Sequence, residues 1–157
     1  MVVGSNPSGP IDVSPPRVDF KSVDAFSRGV WFPSAGLVHS VNASVVAEDP
    51  VDRKHGGGVQ VDGIVERIID AARAAAETSP DPFRPAAALL RGLAVGHPFN
   101  GGNKRTAFIV AVALLAANGW RLELPEGEAA SYMRTLTGSR RPEIDVEAWL
   151  RKASRKA

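Results

Sequence analysis

Apolar residues recur at helical spacing along most of this chain, and short stretches rich in glycine, proline and aspartate separate the segments. The pattern predicts helices over residues 34–47, 63–77, 82–95 and 103–118, with shorter ones near 126–136 and 145–153. Asp62 is expected to cap the second helix, and Asp81 followed by Pro82 to begin the third. The third helix is expected to end at Gly96, where glycine permits a left-handed turn.

The helix predicted from residue 103 is apolar on every side at its centre, which is typical of the innermost helix of a domain. Residues 120–124 are predicted to be extended. Residues 48–61 combine turn residues with short β-prone pieces, which predicts a flexible hairpin or flap. The expected fold class is therefore all-α, a helical bundle with a small β-hairpin flap.

Proline, serine and glycine dominate the first part of the chain. Residues 1–19 have too little apolar surface to offset the entropy of ordering, so they are predicted to form a disordered arm. The chain has 157 residues, a length that suits one domain, and residues 20–157 are assigned to it.

Composition excludes several classes of protein. The chain has no cysteine, which rules out disulfides, thiolate metal sites and a cysteine nucleophile. The longest apolar run, residues 107–117, is shorter than the ~20 residues that span a bilayer. The N-terminus lacks the basic and apolar pattern of a secretory signal, so a cytoplasmic location without a membrane partner is expected.

The charge balance disfavours a nucleic-acid partner, because 19 basic and 17 acidic residues leave a net charge of only +2. A local basic excess near the end is predicted to be a solvated helix end, where cations complement the helix dipole. Its members are Arg151, Lys152, Arg155 and Lys156.

A loop of polar and small residues precedes the buried helix. Gly101 and Gly102 allow the backbone to fold tightly and to approach a ligand. The N–H groups and the dipole of the following helix favour an anion such as phosphate. Lys104 and Arg105 add positive charge at this end, which is unfavourable for the isolated helix and would be offset by an anionic ligand.

His97 stands at the other side of this loop. Histidine exchanges protons near neutral pH, which makes His97 the candidate general base. A base beside a polyphosphate site predicts activation of a hydroxyl for phosphoryl or nucleotidyl transfer.

The same loop resembles a known motif. It reads His97-Pro98-Phe99-Asn100-Gly101-Gly102-Asn103-Lys104-Arg105. The Fic motif of the Fic/Doc family reads His-Pro-Phe-x-(Asp/Glu)-Gly-Asn-(Gly/Lys)-Arg, and the similarity extends in outline over residues 32–152. The resemblance implies a Fic/Doc helical bundle with a β-hairpin flap, and ATP as the nucleotide.

The resemblance also implies roles for the loop residues. The position of His97 deprotonates the target hydroxyl, and Phe99 is expected to anchor the loop in the core. Phosphate and nucleotide binding is assigned to the rest of the loop: Asn100, Gly101, Gly102, Asn103, Lys104 and Arg105. His39 and His55 are interpreted as surface or packing residues.

Lys104 distinguishes two activities within the family. The lysine form resembles death-on-curing toxins, which transfer the γ-phosphate of ATP to elongation factor Tu. The glycine form transfers AMP. The resemblance therefore favours a toxin-like protein kinase that acts on a translation protein such as elongation factor Tu. Protein adenylylation and a catalytically impaired binding module remain alternatives.

Gly101 departs from the motif, which has Asp or Glu at this position to hold Mg²⁺. Glycine has no carboxylate, and Asn100 is at best a weak, neutral substitute. No protein ligand for a metal is therefore assigned, and Mg²⁺ is expected to be held by the nucleotide alone or not at all. The chain shows no (Ser/Thr)-x-x-x-Glu-(Gly/Asn) inhibitory pattern, so inhibition is expected from a separate antitoxin chain.

Overall fold

The computed structural model describes residues 26–27, 29–55, 58–76, 80–138 and 145–157. The arm predicted over residues 1–19 lies outside this part of the chain. The described helices are α1 (Ala35–Glu48), α2 (Pro50–His55), α3 (Ile64–Ala75), α4 (Phe83–Val95), α5 (Asn103–Ala117), α6 (Glu128–Gly138) and α7 (Val146–Ala153). Short strands accompany them: β1 (Phe26–Ser27), β2 (Val30–Trp31), β3 (Trp120–Leu122) and β4 (Ser154–Lys156). The predicted mostly helical fold class is confirmed.

Helix α5 lies at the centre of the domain, as its all-round apolar sequence predicts. Every residue from Thr106 to Leu115 is buried. Helices α1 and α4 pack directly on α5, while α3 and α7 pack on α4. The loop that begins α5 is therefore attached to the best-packed element of the fold.

Helices α3 and α4 approach closely at one glycine. A Cβ atom added to Gly92 would lie 2.7 Å from Cγ2 of Ile68, closer than two carbon atoms can pack. The absence of a side chain at Gly92 thus brings α4, which ends at the site loop, against α3.

Two antiparallel strand pairs complete the described structure. Strands β1 and β2 form one pair, with Phe26 opposite Trp31. Strands β3 and β4 form the other, with Trp120 opposite Lys156. Asn118, at the end of α5, joins the first pair to the bundle because its side chain accepts a hydrogen bond from the Trp31 N–H at 2.9 Å and donates one to the Trp31 carbonyl at 3.1 Å.

The hairpin predicted over residues 48–61 is wrong where this segment is described. Residues 50–55 form α2, which begins as Asp49 Oδ1 accepts a hydrogen bond from the Val51 N–H at 2.8 Å. Asp49 followed by Pro50 is thus a helix start and not a turn, by the same logic as Asp81 and Pro82. Val59 forms only an isolated antiparallel bridge, with Phe99.

Two predicted helix ends also differ. Gly63, with φ 78°, stands at the N-cap of α3 and there is no side-chain cap, so the prediction of an Asp62 cap is wrong. Gly96 has φ −69°, so the left-handed turn predicted there is wrong as well. His97 takes the positive φ instead, at 47°. At α4 the Asp81 Oδ1 does accept a hydrogen bond from the Phe83 N–H at 2.9 Å. The helix itself begins at Phe83 with Pro82 as its N-cap, one residue later than predicted.

The basic cluster near the end is only partly a helix end, which corrects the earlier interpretation. Arg151 and Lys152 lie in the last turn of α7, whereas Arg155 and Lys156 belong to β4. The Lys156 ammonium lies 5.6 Å from the centre of the Trp120 ring. Arg151 forms ion pairs with Asp81 and Glu147. Two of the four charges, Arg151 and Lys156, thus have structural partners within the domain.

Candidate functional site

His97 leaves α4 in an uncommon backbone conformation. Its φ of 47° lies in the left-handed region, and it is the single non-glycine residue with positive φ in the described part of the chain. Such residues are a few per cent of the total and cost of order 1 kcal/mol or more. The turn leaves His97 exposed, while the next two residues, Pro98 and Phe99, enter the protein and are buried.

Asn103, the first residue of α5, closes the loop with its side chain. Its Oδ1 accepts a hydrogen bond from the Phe99 N–H at 2.9 Å. Its Nδ2 donates to the Phe99 carbonyl at 2.9 Å and lies 3.2 Å from His97 Nδ1. Asn103 is only 7% exposed, so its two bonds to Phe99 are shielded from water. They hold the candidate base and the start of α5 in one hydrogen-bonded unit.

The Asn103 contacts also determine the proton position on His97. Because Oδ1 accepts from a backbone N–H, the NH₂ group must be the part of the amide that faces the imidazole. An NH₂ group only donates, so His97 Nδ1 accepts. The neutral ring in this arrangement therefore carries its hydrogen on Nε2.

The side chain of Asn42, on α1, holds the loop and the first turn of α5 through two hydrogen bonds. Its Nδ2 donates to the Gly101 carbonyl at 2.8 Å and to Thr106 Oγ1 at 3.2 Å, and the residue is 2% exposed. Sequence reasoning missed Asn42. The available signal was a polar residue on the apolar face that carries Val41 and Val45.

A segment just before α3 lies along the outer edge of the loop. The Gln60 N–H donates to the Pro98 carbonyl at 2.8 Å, and the Asn100 N–H donates to the Gly58 carbonyl at 3.0 Å. Gln60 Nε2 also donates to the Phe99 carbonyl at 3.2 Å. This extended segment stands where the hairpin flap was expected.

Phe99 points away from this edge into the core. It is 1% exposed, and the His39 ring meets it edge-on with 5.6 Å between ring centres. The described part of the structure thus places His39 in packing against the loop. The His55 side chain lies outside the described part.

The two loop glycines approach α1 and α2. Gly102 has φ 71°, and an added Cβ would lie 2.9 Å from Cγ1 of Val45. At Gly101 an added Cβ would lie 2.7 Å from Oδ1 of Asp52. The sequence indicated that these glycines allow close approach; the structure shows that the neighbouring groups are helices of the same chain.

Charges of both signs surround the start of α5. Lys104 is exposed, and Arg105 forms an ion pair with Glu48, the last residue of α1, with 3.3 Å between Nη2 and Oε2. Both side chains of the pair are more than two-thirds buried. Glu48 was not identified from the sequence, because nothing local connects it to Arg105, which lies 57 positions further along the chain.

The motif implies a divalent cation, and the described residues near the loop offer few side chains that could bind one. The described residues contain no group of three or more His, Asp or Glu side chains that could hold a metal. Asp52 is the carboxylate beside Gly101. Because Mg²⁺ is usually bound by one or two carboxylates together with phosphates and water, one acid beside a loop that is predicted to bind phosphate suits this ion.

The fold and this loop define a class of structure: a mostly helical domain whose buried central helix begins at a glycine-containing loop, with an exposed histidine at the other end of the loop. Residues 51–115 match the model of the Fic/DOC family. The matched region runs from α2 through the loop to Leu115 of α5.

At a general level this match indicates transferase-type activity. A comparison with curated proteins found no match. Among the described helices none is long and apolar enough to cross a membrane.

Proposed function

We propose that this protein is an ATP-dependent transferase that modifies a hydroxyl group of a target protein. The observation that carries the proposal is the Asn103 side chain, which bonds the His97 region and the start of α5 into one unit. A proton-handling group thereby stands next to a helix end suited to phosphate. The family match is consistent with this chemistry.

Phosphate groups of the nucleotide are assigned to the N-terminus of α5. Backbone N–H groups of the first helical turn, together with Lys104 and Arg105, supply the positive charge. Asn100, Gly101 and Gly102 form the loop backbone that leads into this turn. Glu48 already pairs with Arg105, so an anion must compete with this carboxylate.

His97 is assigned the proton transfer from the target hydroxyl. In the described arrangement Nε2 carries the hydrogen and can donate to an oxygen, whereas accepting a proton at Nε2 requires the other tautomer. Changing tautomer gives up the Asn103 contact, at a cost of about 1 kcal/mol. Because His97 is exposed, its proton can exchange with solvent.

Mg²⁺, when bound with the nucleotide, would neutralise charge on the transferred group.

Lys104 favours phosphoryl over AMP transfer by the resemblance to death-on-curing toxins. A translation protein such as elongation factor Tu is the proposed target, with a separate antitoxin chain as a proposed partner and the cytoplasm as the proposed location. The second candidate, a Fic-fold module that binds nucleotide or protein without catalysis, is favoured by the absence of an acid at Gly101.

The experiment is label transfer from ATP to elongation factor Tu or to a cell lysate, with γ-labelled and α-labelled ATP in parallel and His97→Ala as the control. Label from the γ-position alone identifies a kinase, and label from the α-position alone identifies an AMP transferase. Nucleotide binding by calorimetry with no transfer of either label, in Mg²⁺ or Mn²⁺, identifies a binding module and contradicts both transferase assignments.

A further inference from the structure

Asp52 occupies the space in which a side chain at position 101 would lie. A Cβ built on Gly101 would be 2.7 Å from Oδ1 of Asp52, 3.0 Å from its Cγ and 3.3 Å from its Cβ. The carboxylate of α2 therefore stands beside the loop backbone at the position where the Fic motif has Asp or Glu.

The position of Asp52 is fixed by the start of α2. Asp49 Oδ1 accepts hydrogen bonds from the Val51 N–H at 2.8 Å and from the Asp52 N–H at 3.3 Å. The Arg53 N–H donates to the Asp49 carbonyl at 2.9 Å. Asp52 is thus in the first turn of a capped helix and half-buried against the loop.

Among the described residues, the carboxylate of Asp52 has no structural partner that explains its placement. Within the described ranges, neither of its oxygens accepts a protein hydrogen bond, and no lysine or arginine lies within ion-pair distance. A cation beside this half-buried carboxylate would supply the opposite charge that no described residue supplies.

We propose that Asp52 supplies, from α2, the carboxylate that binds the divalent cation of the nucleotide at this loop. Gly101 is then a consequence of the arrangement, because a side chain there would collide with Asp52. The inference rests on the proposed function, since one carboxylate needs the phosphates as further ligands. A cation should therefore bind only together with nucleotide.

The test measures binding and not activity. Calorimetry gives the affinity of a non-hydrolysable ATP analogue for the full chain in EDTA and in Mn²⁺. The affinity in Mn²⁺ divided by the affinity in EDTA is the cation enhancement. We expect enhancement in the unchanged protein and a loss of about tenfold in Asp52→Asn, as when a charge-assisted contact is removed. The matched control is Asp62→Asn, which changes an exposed carboxylate and should keep the full enhancement.

A relocated acid separates a direct ligand from a structural effect. In the double variant Asp52→Ala with Gly101→Asp, the carboxylate moves to the loop and should restore at least part of the cation enhancement. Thermal unfolding of each variant reports whether it folds. The double variant keeps the inference testable if Asp52→Asn alone is unstable.

Two failures are distinguishable. If the analogue binds and the cation enhancement survives Asp52→Asn, the assignment of Asp52 is wrong while the nucleotide site stands. If the analogue binds to no variant, with or without Mn²⁺, the proposed function is wrong and the Asp52 assignment is wrong with it.

Discussion

His97 presents one ring nitrogen to Asn103 and the other to solvent, and this orientation can be measured. We expect the neutral imidazole of the free protein to be the Nε2–H tautomer, because Asn103 donates to Nδ1 at 3.2 Å. Nitrogen-15 NMR of the histidine rings, at a pH where the ring is neutral, distinguishes the tautomers. A dominant Nδ1–H form would contradict this hydrogen bond and show a ring already prepared to accept a proton at Nε2.

Glu48 is the residue that would compete with an anion bound at Arg105. Replacing Glu48 with glutamine removes the charge that pairs with Arg105 and should tighten binding of an ATP analogue by about two- to fivefold, the equivalent of a pair worth up to about 1 kcal/mol. The control is Glu123→Gln, which changes an exposed pair with Arg121. Unchanged affinity in Glu48→Gln would show that the anion does not use Arg105.

At the level of elements, the close contact between α3 and α4 predicts that a substitution at Gly92 has the opposite effect on stability from the one that helix propensity predicts. Alanine in place of glycine inside a helix normally stabilises by roughly 0.5–1 kcal/mol. At Gly92 the new methyl would lie 2.7 Å from Ile68, so we expect Gly92→Ala to destabilise by about 1–3 kcal/mol.

Urea unfolding measures the change. The control is Gly36→Ala in α1, where an added Cβ meets only Ser34 Oγ at 3.7 Å and the usual gain is expected. A stabilised Gly92→Ala protein would show that α3 and α4 separate at no cost.

The elements that the sequence predicted correctly are those whose burial follows from local pattern. Helix α5 is an example, since residues apolar on every side can only lie inside. Helix α2 is short and polar, and its Asp49-Pro50 start was interpreted as a turn. Strand β4 has no apolar alternation, and its pairing with β3 depends on a contact between distant parts of the chain.

The same division holds within the candidate site. The loop from His97 to Arg105 could be identified because its residues are consecutive. Asn42, Glu48 and Asp52 could not, because α1 and α2 reach the loop only through tertiary packing. Sequence reasoning therefore predicted the loop and missed three kinds of neighbour. These are the residue that hydrogen-bonds to the loop backbone, the residue that pairs with Arg105, and the carboxylate that lies beside Gly101.

For the whole molecule, the pairing of Asp81 with Arg151 connects the start of α4 to α7 and makes stability depend on pH. Burial raises the pKa of Asp81, but the hydrogen bonds from Arg151 and from the Phe83 N–H outweigh it, so the pKa is lower than the ordinary value. A lowered folded pKa stabilises the protein above the unfolded pKa of about 3.9 and loses this effect as pH falls through the folded value.

We therefore expect Asp81→Asn to have a lower melting temperature than the unchanged protein at pH 7. Below about pH 4 the two melting temperatures should approach each other. Thermal unfolding across this range provides the measurement. The pair is partly exposed, so a moderate effect that decreases with salt is expected. A difference that stays constant from pH 7 to pH 2 would show that the carboxylate charge is not the source of the stability.

The left-handed backbone conformation of His97 also determines which substitution can remove its imidazole without disturbing the loop. Alanine removes the imidazole but keeps a Cβ in a conformation that most side chains disfavour, and a β-branched residue would add strain of about 1–3 kcal/mol. Asparagine tolerates this conformation far better. His97→Asn therefore removes the imidazole while preserving the path of the chain, and it serves as a second control beside His97→Ala in the label-transfer experiment.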